Sequence, residues 1–179
     1  ADPFHISEES KKALREVHKY WKGKSVSEFA LSMMDDATLA AMEHNIFTPG
    51  NYFYNGIGHV CVDYGKVLKI GYKGIIEEAA KALVALEVYD ADYAKKHEFL
   101  EAVIISCNAA ITYAKRYSKL ALELAKKESD PVRRGELEII AQNCAHVPEN
   151  GARNFYEACQ SFWFIQLLIQ TESNGHSIS

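Results

Sequence analysis

The chain has 179 residues, of which 48% are hydrophobic and 25% are charged, and its formal net charge is −4. This length supports one substantial core, while an acidic chain without a lysine and arginine cluster has no electrostatic basis for binding nucleic acid or an anionic membrane. Its most apolar stretch, residues 162–169, is broken by Gln166 and is far shorter than the roughly 20 residues of a membrane span.

Cysteine usage indicates the compartment. Four scattered cysteines without the close spacing of a metal site are typical of free thiols in a reducing environment. Residues 1–30 lack a basic stretch followed by an apolar core, so no secretory signal is predicted. We therefore expect a cytoplasmic protein without a metal site. The cysteines are Cys61, Cys107, Cys144 and Cys159.

Two helices are predicted near the N-terminus. Ser7 is suited to cap the first helix, and the two glutamates after it favour the positive end of the helix dipole. This helix is expected to run to about Trp21 and to stop at Gly23. The second is expected over residues 35 to about 44, with Asp35 or Asp36 as its cap.

Residues 48–59 are rich in glycine, asparagine and aromatic side chains. This composition forbids a long helix and predicts an ordered loop, where functional residues are commonly placed. Asp63 is suited to cap the helix that follows. That helix is expected to be interrupted by Gly71 and Gly74 and to continue to residue 85 or 86.

A single long helix is predicted from about Asp90 to Lys127, a stretch without glycine or proline. Apolar side chains recur there at steps of three and four, which indicates one buried face. A second apolar set predicts contact on another side, and the helix would be roughly 55 Å long. The first set is Phe99, Val103, Cys107, Ala110, Ala114, Tyr117, Ala121 and Leu124, and the second is Leu100, Ile104 and Ile111.

Two further helices complete the pattern. Ser129-Asp130-Pro131 predicts a helix start, with an end near Ala145, and the last helix is expected over residues 152 to 172. Residues 162–169 are apolar nearly all round, which is typical of a helix buried on every side. Because so few neighbours cannot enclose such a helix, we expect residues 1–179 to form one helical segment of a larger protein.

Two histidines stand at glycine-marked boundaries next to polar groups, in Gly58-His59 and in Gly175-His176-Ser177. An imidazole can bind a hydroxyl and move a proton near neutral pH. A metal site at His59, Cys61 and Asp63 is disfavoured because hard and soft ligands are mixed. The remaining histidines are expected to be structural: His5, His18, His44, His97 and His146.

Residues 50–68, 155–164 and 172–179 resemble the glycyl radical enzymes, most closely those that dehydrate glycerol or propane-1,2-diol without coenzyme B12. The resemblance covers essentially the whole chain. It implies a mainly α-helical segment of an enzyme whose intact form is a ten-stranded β/α barrel. It also implies a cytoplasmic homodimer from an anaerobic organism, a glycyl radical installed by a radical S-adenosylmethionine activating enzyme, and a small diol as substrate.

The same resemblance implies roles for three residues. His59 would hold the departing hydroxyl of the diol and supply its proton, while His176 and Ser177 would hydrogen-bond the substrate hydroxyls. The family's radical residues lie in Gly-Cys-x-Glu and Arg-Val-x-Gly-Tyr motifs, which this sequence lacks. The chain alone is therefore expected to be inactive. Alternatives are a choline trimethylamine-lyase, a hydroxyproline dehydratase, or a helical interaction module without chemistry.

Overall fold

The computed structural model describes residues 5–50, 53–54 and 61–172, and these contain helices but no strand. The predicted mainly α-helical class is confirmed. The chain divides into two compact units, residues 1–56 and 57–179. The described helices are α1 (Glu8–Trp21), α2 (Val26–Ser32), α3 (Asp36–Glu43), α4 (Tyr64–Val84), α5 (Tyr93–Lys127), α6 (Pro131–His146) and α7 (Phe155–Glu172).

Local capping defines the helices of the first unit. The Ser7 hydroxyl accepts a hydrogen bond from the Ser10 amide, and α1 ends before Gly23, whose φ is +77°. The Asp35 carboxylate accepts from the Thr38 amide and caps α3. Both predicted helices are confirmed. No residue of α1, α2 or α3 is buried, so these helices are defined by local hydrogen bonds.

Helix α2 was not predicted from the sequence. The Ser25 hydroxyl accepts from the Glu28 amide, and the Glu28 carboxylate accepts from the Ser25 amide. This reciprocal pair is a capping box. The carboxylate also accepts from the Gly23 amide at 3.0 Å, which links the cap to the end of α1. The Ser25 hydroxyl also donates to the same carboxylate, at 2.6 Å. This hydrogen bond, followed by those from the backbone amides, holds the pKa of Glu28 below its usual value.

Helix α5 is the central element of the second unit, because α4, α6 and α7 all contact it. Its buried residues include many small side chains, which allow neighbouring helices to approach closely. The Ser118 hydroxyl donates to the Ala141 carbonyl at 2.8 Å, which explains a serine on this face. The buried residues are Cys107, Ala110, Ile111, Ala114, Ser118, Ala121 and Ala125.

The predicted face of α5 is wrong at three positions. Phe99, Tyr117 and Leu124 are exposed, at 67%, 41% and 46% respectively. Near the C-terminal end the buried face passes through Ser118 and Ala125 instead, because the small side chains there meet α6. Tyr117 and Leu124, which are bulkier, lie at the edge of the contact with α6.

Helix α7 packs with one face on the other helices. Phe164 joins Ala114 and Cys144 in a buried cluster, while Phe162 and Trp163 remain 44% and 60% exposed. The sequence of this helix is apolar nearly all round, but the other helices of the second unit cover only part of its apolar surface. Within the described part of the chain, no helix has both the length and the apolarity to cross a membrane.

Candidate substrate-binding site

The three residues predicted to handle substrate, His59, His176 and Ser177, lie outside the described residues. The structure describes the helices next to them in sequence. Helix α4 begins five positions after His59, and α7 is the last helix before His176. Helices α4 and α7 are therefore the described elements that adjoin the proposed site in sequence.

A side-chain hydrogen bond joins the start of α4 to α7. The Tyr64 hydroxyl donates to Gln166 Oε1 at 2.7 Å, and the Tyr64 ring lies 4.7 Å from the Phe162 ring, centroid to centroid. The Asp63 carboxylate accepts from the Lys66 amide and caps α4, as predicted. Tyr64 is thus held by its own helix and by α7.

Helix α4 is interrupted at Gly71, which has φ +65° and ψ 176°. The interruption frees the next two amides from helical pairing, and the loop between α6 and α7 satisfies both. The Tyr72 amide donates to the Pro148 carbonyl at 2.8 Å, and the Lys73 amide donates to the Glu149 carbonyl at 2.9 Å. Of the two predicted interruptions, this one is confirmed.

The predicted interruption at Gly74 is wrong, because no break occurs there. The residue lies inside α4 and has helical backbone geometry. A Cβ at this position would lie 2.7 Å from the Ile70 side chain, so a close neighbour accounts for glycine here.

The loop of residues 147–153 and the break in α4 fit each other closely. A Cβ on Gly71 would lie 2.3 Å from the Glu149 carbonyl oxygen, and a Cβ on Gly151 would lie 2.3 Å from the Lys69 carbonyl oxygen. Because neither glycine has a side chain, the backbone of α4 and the backbone of the loop can approach each other closely. The Ala152 amide also donates to the Leu68 carbonyl, at 2.8 Å. We call this contact the glycine clasp; it fixes the first half of α4 against residues 147–153.

A buried carboxylate supports the clasp. Glu157, whose side chain is only 1% exposed, accepts from the backbone amide and guanidinium of Arg153. This pairing, chiefly with the guanidinium, lowers the pKa of Glu157. His146 Nε2 lies 3.1 Å from the Gly151 carbonyl oxygen and 3.9 Å from the Glu157 carboxylate. These contacts agree with the structural role predicted for His146.

No prediction from the sequence concerned Tyr64, Arg153 or Glu157, and Gln166 was predicted only to interrupt an apolar run. The Arg153–Glu157 pair has the i, i+4 spacing of an ion pair, which was an available signal. The partner of Tyr64 is 102 positions away in sequence, so no local pattern could reveal it.

The four cysteines are free thiols, two of them buried and two exposed. Burial raises the pKa of Cys107, and it raises the pKa of Cys144 to about 11. Both thiols therefore remain protonated near neutral pH, while Cys61 and Cys159 are exposed. Within residues 5–50, 53–54 and 61–172, no three His, Cys, Asp or Glu side chains group as metal ligands.

The chain is similar to known enzymes in both sequence and structure. The model of the family described as pyruvate formate lyase-like matches residues 1–179. A structure concerning 1,2-propanediol dehydration in Roseburia inulinivorans is 57% identical, with a TM-score of 0.77, and the match covers 98% of this chain and 21% of that one. The glycerol-bound B12-independent glycerol dehydratase from Clostridium butyricum is 55% identical, with a TM-score of 0.77 and coverage of 98% and 22%.

A curated relative extends the comparison to another substrate. The (2S)-3-sulfopropanediol dehydratase of Klebsiella oxytoca is 40% identical over 181 residues, which cover 99% of this chain and 22% of that protein. The chain thus spans about a fifth of the length of the relatives that it matches. With a family match over all of its residues, the chain belongs to the pyruvate formate lyase-like family of glycyl radical enzymes.

Proposed function

We propose that the full-length protein containing this chain is a glycyl radical diol dehydratase that eliminates water from propane-1,2-diol or glycerol to give an aldehyde, without coenzyme B12. The observation that carries the proposal is the higher identity to the propanediol and glycerol dehydration structures than to the sulfopropanediol dehydratase. Membership of an enzyme family supports catalysis over a helical interaction module. Residues 1–179 would then be one helical segment of the pyruvate formate-lyase-like domain.

The lack of positively charged side chains around the proposed site residues supports an uncharged substrate. Residues 48–63 and 172–179 contain no lysine and no arginine. A sulfonate or carboxylate group on the substrate would be bound best by such cations. Imidazole and hydroxyl groups instead suit the hydrogen bonding of a diol. Within these two segments, the side chains therefore suit a diol better than a sulfonate or a carboxylate.

The proposed roles follow from the chemistry of these side chains. In the full-length enzyme, the cysteine and glycine radical residues would supply hydrogen abstraction from carbon 1, and the cysteine would return a hydrogen atom to the neighbouring carbon after water has left. The hydroxyl on carbon 1 would lose its proton as it becomes the aldehyde carbonyl, which balances the proton given to the departing hydroxyl. His59 would donate a proton to the hydroxyl that departs from the neighbouring carbon, because an oxygen leaves more readily as water than as hydroxide. His176 and Ser177 would bind the substrate hydroxyls and orient them. We further propose a cytoplasmic homodimer that depends on a radical S-adenosylmethionine activating enzyme.

The test uses the activated full-length enzyme and a His59→Ala variant. We expect His59→Ala to abolish aldehyde formation from propane-1,2-diol and glycerol, while the glycyl radical signal in electron paramagnetic resonance keeps its intensity. The matched control is His18→Ala, which changes an exposed histidine in α1 and is expected to leave turnover unchanged. Retained turnover in His59→Ala would refute the role of that residue. Preference of the unaltered enzyme for sulfopropanediol, hydroxyproline or choline would refute the proposed substrate class.

A further inference from the structure

We infer that Tyr64 and Gln166 form a positioning pair that holds the substrate site in its working geometry. This inference rests on the proposed function, because it concerns how residues 59 and 176 are supported. Neither side chain is assigned to contact substrate. The pair acts instead through the two helices that adjoin the proposed site in sequence.

A short hydrogen bond connects the two side chains of the pair. The Tyr64 hydroxyl and Gln166 Oε1 are 2.7 Å apart, and both residues are half-buried. Gln166 is the polar residue within the apolar stretch of residues 162–169. A partly desolvated amide costs free energy unless it finds a partner. Tyr64 supplies that partner, which accounts for an amide at this position.

The Tyr64 ring makes a second contact with α7 that does not involve its hydroxyl. The Tyr64 ring lies 4.7 Å from the Phe162 ring, and the planes are inclined by 38°. Phe162 and Gln166 are one helical turn apart on α7, so one supports the ring while the other binds its hydroxyl. Removal of the hydroxyl alone would therefore leave the ring packing in place. A Tyr64→Phe variant therefore tests the hydrogen bond without removing the ring packing.

The position of the pair along the chain relates it to the proposed site residues. His59 is five residues before Tyr64, so a fully extended chain would span at most about 17 Å between them. On the other side, α7 continues for six residues after Gln166, which is about 9 Å of helix. The pair thus lies close in sequence to both segments that carry the proposed site. The glycine clasp holds the other end of the same part of α4 at Gly71.

The expected consequence is a loss of turnover without a loss of folding. Catalysis is sensitive to the placement of reacting groups, and a displacement of about 1 Å can lower a rate about 100-fold. We expect Tyr64→Phe to lower kcat for propane-1,2-diol about tenfold, an intermediate effect on that scale. KM is expected to stay within about twofold, because the substrate contacts themselves remain.

The experiment compares Tyr64→Phe, Gln166→Leu and the double variant in the activated full-length enzyme. The kcat and KM are measured for the diol, with the glycyl radical yield and the melting temperature. Because the two residues act through one hydrogen bond, the double variant is expected to lose no more kcat than either single variant. Tyr113→Phe is the matched control: it removes a hydroxyl that pairs with the Tyr117 hydroxyl at 3.1 Å, and it is expected to retain full kcat.

Three outcomes would overturn the inference: unchanged kcat in Tyr64→Phe, multiplicative losses in the double variant, or a loss equalled by Tyr113→Phe. Should Gln166→Leu fail to fold, Tyr64→Phe together with its control still decides the question. Failure of the proposed function is a separate result, since it would appear as an absence of diol turnover in the unaltered enzyme.

Discussion

Glu157 combines almost complete burial with a negative charge. A buried carboxylate is tolerated only with hydrogen-bonding partners, and here the amide and guanidinium of Arg153 provide them. Arg153 itself is largely exposed, with 65% of its side chain accessible. The charge of Arg153 is therefore solvated. Glu157 stabilises the fold mainly through its hydrogen bonds to Arg153, in the loop that forms the glycine clasp.

Replacement of Glu157 by glutamine should reduce stability in a pH-dependent manner. The folded protein lowers the pKa of Glu157 from the ordinary value of 4.5. The stabilisation is therefore fully present above that value and is lost as the pH falls through the lower pKa of the folded state. At pH 7 we expect Glu157→Gln to cost about 1–2 kcal/mol, and at pH 3.5 the difference should shrink. Urea unfolding of the chain followed by circular dichroism, at a protein concentration low enough to keep the chain monomeric, measures both values.

The control for this measurement is Glu123→Gln, which changes an exposed carboxylate on α5. It should have little effect on the unfolding free energy at either pH. An equal loss for Glu157→Gln at both pH values would contradict the charge-dependent explanation.

At the scale of single helices, the break in α4 has a testable energetic consequence. Gly71→Ala places a side chain at φ +65° and a Cβ 2.3 Å from the Glu149 carbonyl oxygen. Both effects destabilise the folded state, and we expect a loss of at least about 2 kcal/mol. Urea unfolding of the chain, at a protein concentration low enough to keep it monomeric, measures this loss.

Gly135 is the matched control position, because it lies inside α6 and a Cβ there would have no neighbour within 4 Å. Gly135→Ala should stabilise the chain by roughly 0.5–1 kcal/mol through helix propensity. Equal effects of the two alanine substitutions would show that the clasp does not constrain α4.

Helix starts were predictable where one side chain forms a cap, as at Ser7, Asp35, Asp63 and Asp130. The same logic would have found α2, because Ser25 and Glu28 have capping-box spacing. Other features depend on partners distant in sequence. Glycine interrupts α4 at position 71 but not at 74, and this difference is set by the contact of Gly71 with residues 149–150. No local pattern contains that information.

The same limit applies to the candidate site. Chemistry and family resemblance select His59, His176 and Ser177, all of which lie outside the described residues. The contact between Tyr64 and Gln166 joins helices that are far apart in sequence. The apolar sequence of residues 162–169 predicts that α7 is buried on every side, but it does not specify which α4 residue contacts Gln166. The supporting residues therefore emerge only from the tertiary structure.

At the scale of the whole molecule, α7 has more apolar surface than the second unit covers. An open apolar groove of about 300 Å³ is lined by residues of α5, α6 and α7, among them Tyr117, Trp163 and Leu167. Trp163 is 60% exposed beside it. Exposed apolar patches of this kind bind other surfaces or cause association. In the full-length protein we expect this face to be covered.

The isolated 179-residue chain should therefore bind a hydrophobic fluorescent dye such as anilinonaphthalene sulfonate and should self-associate as its concentration rises. Trp163→Lys should lower the dye fluorescence by about half or more and reduce light scattering, because a charged side chain at the groove disfavours apolar contacts. The control is Tyr89→Lys, since Tyr89 is fully exposed and is not among the groove residues. It should change neither signal. A monomeric chain that binds no dye would contradict the prediction and would favour a self-contained helical module over a segment that requires the rest of the enzyme.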